Sequence, residues 1–453
     1  MSAGLRSDAR LAWQLVRGSD RREWWRIALT AAGAGLATGF ALAAVTLASV
    51  RGRWSVSLAH GLLDEPGTRA GVITGLLLLL VPVLGFLGQC ARIGAVHRDR
   101  RLAGLRLAGA TPWQVRRIAA LETGLACLAG SAVTTVFSVL LLLRLWSRPT
   151  ALTWTGITLV AVLVPALGAL AGALALRRVV ASPLGRVRRV RPATGRGPGR
   201  LFLAGLLVLA VAAVPAVTST AAGSGNRDRA EGPLTVFGLV LAVGAGAVWL
   251  AGAVSWLTGR LLAARTGRPA TLIAAERLRD DPWAASRTHA AVLLVTAAGT
   301  AFLCIRHAML VRLRADPPFA ADTDFYTTGL DLTGAAVLVA LAITLSGLAV
   351  GTAESLSTRR RALAAQVAAG VPRTVLRRAL LLETALPLAP ALLLAGAGGT
   401  AIGTWYASLG STGSLPLTAF LVPPAVYALC LLSAATALPL LGRSVGPGEL
   451  RYA

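Results

Sequence analysis

The chain has no lysine: all 45 basic residues are arginine. That absence excludes the phosphate loop Gly-x-x-x-x-Gly-Lys-Ser/Thr, whose lysine reaches the nucleotide's phosphates. The motifs His-Glu-x-x-His, Gly-x-Ser-x-Gly and Gly-x-Gly-x-x-Gly are missing too, so the chain reads as a non-enzyme. Charged residues make up only 14%, too few to cover the surface of a soluble 453-residue protein. The four cysteines, Cys90, Cys127, Cys304 and Cys430, lie in or beside apolar runs without paired spacing. They read as small buried hydrophobes rather than disulfides or metal ligands. His60, His97, His289 and His307 are scattered and lack ligand spacing, so no metal site is expected.

Apolar residues are abundant, at 55% with a mean hydropathy of +0.68. Such a composition belongs in a bilayer. Windows long enough to cross the hydrocarbon core fall at 27–50, 71–91, 118–143, 155–176, 201–222, 234–257, 289–305, 332–352, 379–405 and 417–441. The net charge of +26 would ordinarily raise nucleic-acid binding. Here the arginines sit between apolar spans, and no nucleic-acid partner is expected. With the N-terminus placed inside, the inward segments hold 35 arginines and the outward segments 10. That asymmetry predicts ten spans with both termini cytoplasmic. Residues 27–50 read as a retained first span rather than a cleaved leader.

A stretch of about 26 residues occurs twice, 261 positions apart and in register. Arg98/Arg359, Arg100/Arg361, Leu102/Leu363, Ala108/Ala369 and Gly109/Gly370 are identical, as are Arg116/Arg377, Arg117/Arg378, Leu121/Leu382, Glu122/Glu383 and Thr123/Thr384. An apolar composition alone does not produce matched Arg-Arg, Gly and Leu-Glu-Thr at one offset. Spans 1–4 and 7–10 therefore read as equivalent four-helix units of the same orientation, joined by two spans. The expected organisation is an amphipathic lead at 1–26, a first unit at 27–190, a two-helix linker at 191–264 and a second unit at 265–453. Leu11, Ala12, Leu15 and Val16 give the first lead an apolar face; Leu272, Ile273 and Leu278 precede the second unit. Each unit ends in a proline-containing segment, at 181–184 and 445–448. Gly35/Gly39, Gly168/Gly172 and Gly399/Gly403 have the spacing of close helix contacts, though glycine is common enough here to produce it without that role.

The run of an arginine-rich helix, Leu105–Ala110, Trp113–Arg117, then Leu121-Glu122-Thr123 opening a Gly/Ala-rich span resembles the FtsX-like permease domain. That domain occurs in membrane subunits of the ABC transporter group that includes MacB and the lipoprotein-extraction transporters. The resemblance implies an all-α polytopic membrane protein in which the second span of each unit breaks at a Gly-Ala pair and leads into a short coupling helix. Carried over by residue, the breaks are Gly109-Ala110 and Gly370-Val371. The coupling segments are Thr111, Pro112, Trp113, Gln114, Arg116 and Arg117, and Pro372, Arg373, Arg377 and Arg378. Glu122 and Glu383 match the acidic residue opening the following span. Val371 departs from the pattern's alanine, and Gln366-Val367 replaces Leu105-Arg106. The ten-span plan is similar to BceB-type permeases, but the loops at 51–70 and 306–331 are too short for the external domains of either relative.

The bare residues allow two readings of the arginine pairs: anchoring to lipid headgroups, or docking to an acidic partner. Glu122 and Glu383 are expected to pair with arginine rather than handle protons. The resemblance implies a separate ABC ATPase subunit, two copies per permease, with ATP and Mg bound there and no cofactor in this chain. The function it implies is export or extraction of a lipophilic or amphipathic substrate, an antimicrobial efflux role among them, or mechanical signalling (mechanotransmission). The expected site is the cytoplasmic (inner) membrane of a bacterium, with a sensor kinase or accessory protein as a further partner. Two other classes stay open: an ion-coupled secondary transporter, against which the lack of mid-span ionisable groups weighs, and a scaffold regulating a sensor kinase or cell-wall enzyme.

Overall fold

A computed structural model describes residues 21–50, 62–64, 66–92, 104, 107, 109–146, 149–175, 231–315, 323–408 and 416–444. The described residues are helical, with no strand among them. Eight helices are long and apolar enough to cross a membrane. A ninth, Pro66–Arg92, carries the shorter apolar stretch Gly71–Leu87. The expected span at 201–222, the lead residues Leu11 to Val16 and the segments at 181–184 and 445–448 lie outside the described residues. The chain divides into two compact units, Met1–Arg189 and Val190–Ala453.

The first unit contains α1 (Arg21–Ser49), α2 (Pro66–Arg92), α3 (Pro112–Leu145) and α4 (Ala151–Ala175). α1 packs against each of the other three, and α3 packs on α4. Small residues set these contacts. A methyl on Gly130 of α3 would lie 1.9 Å from the Ala31 carbonyl oxygen of α1, so the two backbones touch. Gly35 and Gly39 face Thr134 of α3, which gives the glycine spacing in the first span its contact role. Leu42, Ile157 and Val160 close the core between α1 and α4, and the Ser49 and Thr153 hydroxyls bond across it at 2.7 Å.

The second unit contains α5 (Glu231–Arg265), α6 (Pro269–Asp280), α7 (Pro282–Ala315), α8 (Thr323–Thr358), α9 (Arg360–Ala368), α10 (Arg373–Ser408), α11 (Leu417–Ala435) and α12 (Leu438–Ser444). Its helices α7, α8, α10 and α11 repeat the packing of α1, α2, α3 and α4: α7 touches the other three and α10 packs on α11. Gly399 and Gly403 of α10 lie against Ala297, Thr300, Ala301 and Cys304 of α7, again at backbone distance. Gly396 makes room for the Pro423 ring of α11. The described linker helix α5 packs on α6, α7 and α10, and Val240, Ala247 and Ala251 enter the core beside Leu293, Leu348, Leu388 and Leu392.

Proline inside α2, α4, α10 and α11 does not break these helices. Apolar surroundings leave a freed carbonyl no water to turn to, so neighbouring groups and local adjustment keep the helix intact. Many hydroxyls in the spans bond back to their own helix, as Thr38 does to the Ala34 carbonyl and Thr296 to the Val292 carbonyl, both at 2.8 Å. That satisfies them without a partner helix.

α8 and α10 have 36 residues each. At 1.5 Å per residue each rises about 54 Å, well beyond a hydrocarbon core of roughly 30 Å. The α8–α9–α10 hairpin therefore carries its turn out of the bilayer.

Candidate functional site

The hairpin turn of the second unit is built by a helix stop of defined chemistry. α9 ends at Ala368, and Gly370 follows with φ +90°. The Val371 amide donates to the Gln366 carbonyl at 3.0 Å, and the Gly370 amide to the Val367 carbonyl at 2.9 Å. This 6→1 and 5→2 pair is the Schellman arrangement, which needs a left-handed residue and therefore favours glycine. Val371 then turns inward onto Leu363, Leu376, Leu356 and Leu441, with Ile273 of α6 against the same cluster. The departure from alanine at 371 thus fills a small apolar core beneath the turn.

The first unit shares the left-handed glycine. Gly109 has φ +98°, again left-handed, and a Cβ at either glycine would meet nothing within 4 Å. Conformation, rather than space, is what reserves both positions for glycine. Thr111 then caps α3: its side chain accepts from the Gln114 amide at 3.3 Å, and the Gln114 side chain accepts from the Thr111 amide at 2.8 Å. This reciprocal capping box, with Pro112 at the first helical position, fixes where α3 begins.

The family resemblance implies a short coupling helix ahead of each third span. In the structure each coupling segment is instead the first turns of the span helix itself, since α3 runs unbroken from Pro112 and α10 from Arg373. Nothing between the arginine pair and Leu-Glu-Thr interrupts a helix, so a displacement of the turn acts directly on the span. Within those turns Val115 and Leu376, equivalent positions, are buried. Ala110 and Val371 are half-buried, whereas Thr111, Trp113, Gln114, Pro372 and Arg373 are exposed. Arg377 and Arg378 are exposed, while Arg116 and Arg117 are half-buried.

Both matched carboxylates are ion-paired. Glu122, 4% exposed, pairs with Arg26 at the start of α1. Glu383 is held from two sides: Arg277 of α6 meets one carboxylate oxygen at 3.1 Å, and Arg359, just past α8, meets the other at 2.7 Å. Each acid therefore joins the root of the third span to the lead of the first. Of the arginine partners, Arg359 belongs to the matched repeat, whereas Arg26 and Arg277 were not picked out by the sequence pattern. One signal was available for Arg277, which shares a helix face with Ile273 four residues earlier, where the other residue of that row enters the core. Of the expected apolar row in α6, Leu278 is buried but Leu272 is 40% exposed.

Along α3 the stretch Glu122–Leu145 rises about 35 Å, and Arg26–Ser49 of α1 rises the same. Both match the hydrocarbon core with a small margin, which puts the Arg26–Glu122 pair near one membrane boundary. Among the described residues no group of three or more His, Cys, Asp or Glu is positioned to hold a metal ion.

Two segments of the chain, residues 73–184 and 334–442, match the model of the FtsX-like permease C-terminal family. The segments begin 261 positions apart, the offset of the internal repeat, and each contains one left-handed glycine and one ion-paired glutamate. No curated protein matches the chain. Together with the apolar helices, these matches identify a multi-pass membrane protein that carries the FtsX-like permease C-terminal domain twice.

Proposed function

We propose that this chain is the membrane subunit of an ABC transporter whose ATPase is a separate polypeptide. The observation that carries the proposal is the repeated turn: a left-handed glycine followed by an ion-paired glutamate thirteen residues on, present once in each family-matched unit. Closure of two ATPase subunits on bound ATP and Mg would push on Thr111–Arg117 and Pro372–Arg378, and rearrange the spans continuous with them. One permease with two ATPase subunits follows from having both units in one chain. Ten spans, with both termini cytoplasmic in a bacterial inner membrane, fit the arginine asymmetry. The substrate class is lipophilic or amphipathic, taken from the bilayer and exported or extracted. The described spans place apolar side chains outward, among them Val136, Phe137, Leu140, Leu159 and Leu163. The same movement without passage of a substrate would serve mechanical signalling.

The test is co-purification from native membranes, followed by ATPase assays of the complex with Gly109→Pro and Gly370→Pro. Proline is locked near φ −65° and cannot adopt the conformation either glycine holds. A stoichiometric ATPase whose activity is uncoupled by either change supports the proposal. A functional chain that brings no ATPase with it refutes it.

A further inference from the structure

The two turns share their arginine pairs and glycine but present unlike surfaces. In the first unit Leu107 is 70% exposed and Trp113 65% exposed. The positions 261 residues later hold Ala368 and Thr374, both exposed. Pro112 of the first turn is replaced by Arg373 in the second, where Arg373, Arg377 and Arg378 are all exposed. One turn thus offers a large aromatic and a leucine to its surroundings; the other offers three guanidinium groups.

Lipid is a poor match for the apolar pair. Trp113 lies nine residues before Glu122 on the same unbroken helix, a rise of about 13 Å past the membrane boundary for a helix near the bilayer normal. The headgroup layer is only about 5–8 Å deep on each side. With the boundary placed at the Arg26–Glu122 pair, Trp113 lies past the outer edge of the headgroup layer, beyond the depth at which tryptophan anchors a span. A tryptophan and a leucine exposed there are the composition of a buried interface anchor.

Resting on the ABC reading above, we propose that the two turns dock by different chemistry. Trp113 and Leu107 seat in an apolar cleft of one ATPase subunit, whereas Arg373, Arg377 and Arg378 meet an acidic face of the other. The first contact is insensitive to salt. The second weakens as salt rises, because exposed charges are screened beyond the Debye length.

The experiment measures equilibrium binding of the purified ATPase to the full chain in lipid nanodiscs, between about 0.1 M and 0.5 M salt, a range over which the Debye length falls below about 10 Å. Trp113→Thr, which installs the second unit's residue, is expected to weaken binding about 30-fold at every salt concentration, as loss of an interface anchor does. Arg377→Gln with Arg378→Gln is expected to weaken binding several-fold at low salt and to flatten the salt dependence. Both sites are exposed, so the thermal midpoints of the variants should equal the parent's, which separates lost docking from lost folding. Equal salt dependence in the two variants overturns the proposal while leaving the ABC reading intact. Quenching by brominated lipid that is smaller in Trp113→Thr than in the parent, with ATPase binding unchanged in that variant, also overturns it and assigns the residue to the membrane. Absence of any ATPase binding by the parent chain overturns the ABC reading itself.

Discussion

Gly109 and Gly370 stand 261 residues apart and hold the same left-handed backbone, φ +98° and +90°. Neither has a neighbour that a methyl would strike. Substitution there should act through the backbone alone. Gly370→Ala is expected to lower stability by about 1 kcal/mol, the cost of a left-handed L-residue, and Gly370→Val by more. Gly370→Asn should be milder than either, since asparagine tolerates this conformation at helix ends. Thermal midpoints in detergent check the order; valine being the mildest of the three would refute the assignment.

Glu122 and Glu383 should respond differently to neutralisation. Glu122→Gln strands the Arg26 charge in a pair whose side chains are 10% and 4% exposed. Breaking such a pair is expected to cost about 3–5 kcal/mol. Glu383 has two partners but sits in a wetter place, with side chains 15% to 35% exposed. Solvent screening makes its loss the smaller one. Adding Arg26→Gln to Glu122→Gln should recover part of the loss, because no buried charge is then left alone. A double-mutant cycle by thermal unfolding reads this directly.

Gly130→Ala should be among the most damaging single methyl additions in the first unit. The new carbon would sit 1.9 Å from the Ala31 carbonyl oxygen, and neither backbone can yield without separating α1 from α3. Gly75→Ala in α2 meets nothing within 4 Å and should be tolerated. Folded yield of the two variants, compared side by side, decides the matter.

Much of this arrangement is legible in the sequence, for a physical reason. A left-handed turn demands glycine, and a repeat keeps that demand at a fixed offset, so Gly109 and Gly370 could be read as breaks. The start of α3 was less legible. Hydropathy begins the third span at residue 118, whereas Thr111, Pro112 and Gln114 start the helix at Pro112 by local capping, which no hydropathy window detects. That the glutamates pair with arginine was legible, but which distant arginines they meet was not. Arg26 lies 96 residues from Glu122 and Arg277 lies 106 from Glu383, distances over which only the packing of first and third spans brings charges together. The glycine spacing was ambiguous in the sequence because glycine is so common; the carbonyl of Ala31 resolves it at Gly130.

Membrane orientation should be readable with introduced thiols, because all four native cysteines are buried and give little background. Gln114→Cys is expected to react with an impermeant maleimide only from the cytoplasmic side. Asp331→Cys, at a side chain 66% exposed in its pair with Arg306, is expected to react only from the opposite side. Labelling of both from one face would break the ten-span topology, and labelling with the faces exchanged would invert it.

The contact at Gly130 leaves α1 and α3 no play. It lies about 27 Å from Pro112 and about 22 Å from Leu145 at 1.5 Å per residue, close to the midpoint of α3. With the Arg26–Glu122 pair nearer one end and Gly35 against Thr134 beside it, α1 and α3 are fastened at several heights, so a force applied at the Trp113 end would be carried by the two helices as one body.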